Sequence, residues 1–181
     1  MKIKTLLQTK KVIASGFAAI TALGAYSQGT EEVILSSLAP SILFNQGITS
    51  YYALEIPRGA VYNSADDIIE ANLTVRQYMI KPVSMSDNVD TVIVSRHNGT
   101  VDLLKQRYPN ALVFAQVIAE DITGKHVIGT LPPHLIMAAE AYTAVTIANF
   151  DYTKDGDLNG QELQDRLIIA NQAIKVEEIS L

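Results

Sequence analysis

After residue 90 the chain alternates short apolar runs with polar, helix-favouring stretches, while before it the rhythm is looser. Strands are expected over residues 91–94, 112–117, 126–129 and 143–148. Helices are expected over 99–108, 133–142 and, after a polar loop, about 161–172, with a last extended segment at 175–179. Buried strands that alternate with helices are the pattern of a parallel sheet, and right-handed crossovers carry such helices to both of its faces. The earlier half reads differently. Residues 10–26 are rich in alanine and read as a first helix, and residues 30–38 read as a second, opened by Thr30 with Glu31 and Glu32 in its first turn. Residues 51–56 read as a strand before the turn at Pro57-Arg58-Gly59. Asn63 or Ser64 caps a third helix expected to reach about Met79. Residues 81–90 are polar, hold a proline and show no period, which sets the domain boundary. The expected fold class is therefore α/β: a mainly helical N-terminal domain over residues 1–90, then a Rossmann-like parallel-sheet domain over residues 91–181.

Composition narrows what such a chain does. Of its 181 residues 48% are hydrophobic and 18% charged, a globular balance. It has no cysteine, which excludes a disulfide framework and thiolate-bound zinc and suits a reducing, cytoplasmic setting. The net charge is −5, and residues 91–181 hold 7 basic against 11 acidic side chains. Such a surface lacks the dense basic face that duplex nucleic acid requires. A small anion in a local pocket is still compatible with it, because helix N-termini and one or two arginines suffice. The basic start, the small apolar residues of 12–26 and Ala25-Tyr26-Ser27 have the outline of a secretory leader. Ser15, Gly16, Thr21 and Gly24 weaken its apolar stretch, so a buried amphipathic helix is the preferred reading. No run approaches the roughly 18 apolar residues of a membrane span.

The chemistry-bearing residues gather in two loops. The strand at 91–94 runs into Ser95-Arg96-His97-Asn98-Gly99, and the strand at 126–129 delivers Gly129-Thr130-Leu131-Pro132-Pro133-His134. Ligands of open parallel sheets bind beyond the carboxyl ends of the strands, where both loops lie. They bring a guanidinium, two imidazoles, hydroxyls and an amide to one edge. Gly99 suits a tight turn with free N–H groups at the helix start, and Pro133 suits N1 of a helix whose first turn holds His134. Each loop taken alone serves equally well as a cap and turn. The chain has 3 histidines, and His97 and His134 share this edge, which favours a ligand site. His126 falls on the opposite edge and reads as structural.

The stretch VIVSRHNGTVDLL, followed by HVIGTLPPHL and then LNGQEL, resembles a small Csx-type CRISPR-associated family found with type III systems. The resemblance covers about residues 90–181, and Asn98 stands where proline is common in the family. It implies a Rossmann-like fold and a ring nuclease that degrades cyclic oligoadenylate messengers. In that light Arg96 grips a phosphate, and His97 or His134 acts as general acid or base. Ser95, Asn98, Gly99, Gly129, Thr130 and Leu131 contact ribose and phosphate, with no cofactor. A ligand with rotational symmetry implies a homodimer or higher homo-oligomer with two sites facing each other. Two other readings stay open: a sponge that sequesters the ring uncut, and an adaptor whose residues 1–90 bind another protein.

Residues 151–162 follow the twelve-residue EF-hand spacing, with Asp151, Asp155, Asp157 and Glu162 as candidate calcium ligands and Gly156 at the sixth position. Thr153 departs from the pattern, and a strand rather than a helix is expected before the loop. A solvated acidic loop is the preferred reading.

Overall fold

The computed structural model describes residues 1–57, 59–84, 88–150 and 158–179. The chain divides into two compact units, one of residues 1–80 with 176–181, the other of residues 81–175.

The first unit contains α1 (Ile3–Thr9), β1 (Lys11–Ser15), α2 (Ala18–Thr21), a 3-10 turn (Ala22–Tyr26), β2 (Glu32–Ser36), α3 (Pro40–Asn45), β3 (Ser50–Leu54), α4 (Ala65–Ala71) and β4 (Val75–Val83). Strands β1, β2 and β3 are parallel, β4 is antiparallel to β3, and the end of the chain's last strand, β10 (Ala173–Ile179), lies beside β4. The expectation of a mainly helical first ninety residues is overturned. Residues 11–15 are a strand because Val12 and Ala14 face Val33 and Leu35 in a common core, and Gly16 (φ 116°) then turns the chain where Ser37 leaves no room for a side chain. Residues 32–36 are a strand too. Glu31 and Glu32, read as helix-dipole acids, instead pair with Lys10 and Lys11 at 2.5 and 2.7 Å.

The helix expected from Ser64 does begin there. Its hydroxyl accepts from the Asp67 N–H at 3.2 Å, and the Asp67 carboxylate accepts from the Ser64 N–H at 3.1 Å. It ends at Ala71, because Asn72 takes the left-handed conformation (φ 46°) and the chain leaves as β4. Ile3, Leu6, Leu7, Val12, Ile20, Leu23, Leu35, Tyr52, Ile68 and Val75 are buried in the core of this unit.

Tyr51 is 1% exposed, packs with its ring tilted against Tyr78 at 5.5 Å, and has no hydrogen-bond partner for its hydroxyl among the described residues. Burial pushes that phenol well above its ordinary range. A buried, unpaired hydroxyl costs free energy that a phenylalanine does not. Tyr51→Phe is expected to raise stability by about 1 kcal/mol in urea unfolding. A loss of stability would show that the hydroxyl has a partner in solution.

The second unit contains β5 (Thr91–Val94), α5 (Asn98–Arg107), β6 (Leu112–Phe114), α6 (Ala119–Ile122), β7 (His126–Gly129), α7 (Pro133–Ile136), β8 (Ala141–Ile147), α8 (Gly160–Arg166) and β9 (Leu167–Ile169). The strand order is β8-β7-β5-β6, all four parallel, with β9 and the start of β10 antiparallel on β8. The four-stranded parallel part is as expected, β9 and β10 make the sheet mixed, and two helices are shorter than the sequence suggested. The helix at Pro133 stops at Ile136 because Ala141 and Tyr142 pair with His126 and Val127. The helix before Leu167 stops because Leu167, Ile168 and Ile169 join β8. In both places strand pairing outweighs local helix preference. Ile93, Leu104, Ala111, Ile128 and Val145 form a core here.

Candidate functional site

Strand β5 is followed in sequence by β6 on one side, and the chain then crosses to β7 on the other. Right-handed crossovers send the α5 connection to one face and the α6 and α7 connections to the other, so the switch point at which open sheets form a ligand crevice lies between β5 and β7. The register pairs Val94 with Gly129. Both strands therefore end level, and Ser95 and Thr130 begin their loops side by side, about 5 Å apart as neighbouring strands are. The two loops singled out by the sequence leave from this one point.

The first loop is held by Ser95. Its N–H donates to the Phe114 carbonyl at 3.0 Å, and its hydroxyl accepts from the His97 N–H at 3.2 Å. His97 is the N-cap of α5, and its carbonyl accepts from the Val101 N–H at 3.1 Å. Arg96, His97 and Asn98 are exposed, and Ser95 and Gly99 are half-buried. Gly99 has no positive φ, so the turn does not require glycine. Packing favours it: a Cβ there would meet the Leu163 side chain at 3.0 Å and the Leu158 carbonyl oxygen at 3.2 Å, so both neighbours would have to give by a few tenths of an ångström. The expected tight-turn role of Gly99 is thus replaced by a seat for the start of α8. Thr100, one residue further, is 5% exposed, and its hydroxyl has no partner among the described residues.

The second loop is held by a residue the sequence reading missed. The buried Tyr142 hydroxyl donates to the Gly129 carbonyl at 2.8 Å and accepts from the Leu131 N–H at 3.3 Å, fastening the loop on both sides of Thr130. Burial pushes this phenol up to about 12, so it keeps its proton at all ordinary pH. Only its place one strand over from Gly129 could have flagged it. The Thr130 hydroxyl donates to the Val145 carbonyl at 2.8 Å, leaving its oxygen lone pairs for an incoming donor. Leu131 is buried with its side chain in the protein interior, while Thr130 and His134 are exposed. Gly129 has φ 150°, and a Cβ on it would lie 2.2 Å from the Val94 carbonyl oxygen. Glycine is what lets β5 and β7 approach at the crevice.

His126 lies at the other end of β7, 4% exposed, with Nε2 sharing a 2.7 Å hydrogen bond with the Thr143 hydroxyl and its ring edge-on to Tyr108. Burial lowers its pKa below the ordinary 6.5. In the unfolded chain the imidazole binds its proton more readily, so its contribution is intact above about pH 6.5. Stability falls as pH drops below that value toward the lower folded-state pKa. Thermal melts between pH 8 and 5 are expected to show this slope, and His126→Gln should flatten it. An unchanged slope in that variant would assign it to other groups.

Of the calcium candidates, Asp151, Asp155 and Asp157 lie outside the described residues, and Glu162 is exposed and paired with Arg166 at 3.1 Å. No group of three or more His, Asp or Glu side chains able to hold a metal occurs among the described residues. None of their helices is long and apolar enough to cross a membrane.

Comparison with the curated proteins gives no match, and comparison with solved structures gives none either. Family comparison does: over residues 92–177, a segment rather than the whole, this chain matches the CRISPR-associated family described as "Putative CRISPR-associated protein (Cas_VVA1548)".

Proposed function

We propose that the second unit binds a cyclic oligoadenylate and opens it to a linear product, modulating type III CRISPR or related antiviral signalling in the cytoplasm. One observation carries the reading. Within a segment of a CRISPR-associated family, Ser95-Arg96-His97 and Thr130–His134 leave level strand ends at the β5–β7 crevice. In the reaction, a ribose 2′-hydroxyl gives its proton to one imidazole, His97 or His134, and attacks the adjoining phosphorus. The bond to the 5′-oxygen breaks, that oxygen takes up a proton, and a 2′,3′-cyclic phosphate remains on the linear product. Arg96 offsets charge that builds on the phosphoryl oxygens. Asn98 and the α5 N-terminus offer donors to a phosphate, and Thr130 offers an acceptor to a ribose hydroxyl. Two sites facing each other in a homo-oligomer would suit the symmetry of the ring.

Sequestration without cleavage is the second reading. It is favoured by the hydroxyls of Ser95 and Thr130, which are engaged with backbone and so serve positioning. Incubation with labelled cyclic tetra-adenylate separates the two. Linear product with a 2′,3′-cyclic phosphate end is expected, at a rate unchanged by excess EDTA. An intact, retained ring means sequestration, and the absence of binding sinks both readings.

A further inference from the structure

Thr100, near the start of α5, is 5% exposed, and its buried hydroxyl has no hydrogen-bond partner among the described residues. A threonine of a helix ordinarily donates back to a carbonyl three or four residues earlier. Thr9, Thr21 and Thr123, in or at the end of helices, do so here, to Thr5, Phe17 and Ala119 at 2.8, 3.3 and 2.8 Å. Thr100 does not. Its place on the helix shows what the hydroxyl faces. Leu104, four residues on, is fully buried in one core with Ile93 and Ile128. Residues four apart share a helix face, and a helix that links parallel strands runs back along the sheet. Thr100 therefore faces the sheet about 6 Å nearer the carboxyl ends of the strands, roughly two residues of strand. That sets it level with Ser95 and Thr130, where the two loops leave β5 and β7. The same helix start carries the backbone N–H groups of Asn98, Gly99 and Thr100, which have no carbonyl of α5 to bond.

We propose that Thr100 is a ligand-binding residue, whose hydroxyl donates to a phosphoryl oxygen of the bound phosphodiester beside the three N–H groups. The inference rests on the reading of this switch point as a phosphodiester site, and adds an anchor that a bound anion completes. Chemistry selects an anionic oxygen as the occupant, since the N–H groups of the helix start and an uncommitted O–H all have protons to donate. The exposed Arg96 reaches the same phosphate from the loop. In the free protein the unpaired hydroxyl costs stability, and in the complex it contributes affinity. Removing it therefore moves the two in opposite directions, which a merely structural threonine does not do.

Thr100→Val in the full chain keeps the shape of the side chain and removes the hydroxyl. The free variant is expected to melt a few degrees above the wild type. It should bind cyclic tetra-adenylate roughly 10- to 100-fold more weakly, the range of a hydrogen bond to a charged group. Thr100→Ser, which keeps a hydroxyl, should restore most of that affinity. Inorganic phosphate at millimolar concentration is the second probe. It should raise the melting temperature of the wild type and of Thr100→Ser more than that of Thr100→Val. A phosphate shift that depends on the hydroxyl, without binding of the ring, keeps this site and sinks the proposed activity. The inference is overturned if neither probe distinguishes Thr100→Val from the wild type, or if Thr100→Ser behaves as Thr100→Val does. It is overturned too if Thr100→Val melts below the wild type, because the hydroxyl then has a partner within the free protein.

Discussion

Gly129→Ala is expected to lower the stability of the second unit by about 3 kcal/mol or more, the sum of backbone strain and steric overlap. At φ 150° an alanine is strained whatever space surrounds it, and here the added carbon would sit 2.2 Å from the Val94 carbonyl oxygen. That oxygen belongs to the neighbouring strand and cannot swing aside as a side chain would. Relief requires β5 and β7 to separate where both loops originate, and the Tyr142 hydroxyl would lose its geometry to Gly129 and Leu131. A fall in melting temperature on the order of 10 °C should follow. Ligand binding should be lost even well below the melting point. A variant that melts like the wild type would mean that the two strands do not close this tightly in solution.

His97→Ala is expected to slow ring opening roughly 10²- to 10⁴-fold, the range of general acid–base catalysis, while weakening ring binding less than about tenfold. Arg96→Ala should damage both, because a phosphate-gripping guanidinium acts on the bound ring and on the transition state alike. Loss of a single charge-stabilising donor costs roughly 10²- to 10³-fold in turnover. Single-turnover rates and equilibrium binding, measured on the same preparations, separate the two effects. If turnover is unaltered in both variants, the assignment of Arg96 and His97 to catalysis is wrong.

Legibility in the sequence followed the length and sharpness of each element. Thr91–Val94 and His126–Gly129 stand out because a short β-branched run is closed by a polar or glycine-containing loop, and both strands lie where expected. The loops after them could be read for the same reason. Their level ends could not, since register is a property of two strands and neither sequence contains it. Lys11–Ser15 and Glu32–Ser36 were misread because a short buried strand and one face of an alanine-rich helix share the same apolar pattern. Gly16 and Asn72 were the available stop signals, and both mark positive-φ turns. Tyr142 was invisible as a support for the site, because its two hydrogen bonds reach across to the end of the neighbouring strand and the loop after it, 13 and 11 residues back in the chain.

The division of the last strand has a consequence for how the molecule is made. Residues 81–175 form one unit, yet the other joins residues 1–80 to a stretch that begins at Val176. During synthesis the second unit can complete its contacts as soon as its own residues have emerged. The first must hold a sheet with β4 unpaired on one side until the final strand arrives, and only then does Arg76 gain its bond to Glu178 at 2.6 Å. Of the two units, the one begun earlier is therefore completed later. Its open strand is exposed for the time taken to translate the intervening residues, several seconds at ordinary elongation rates.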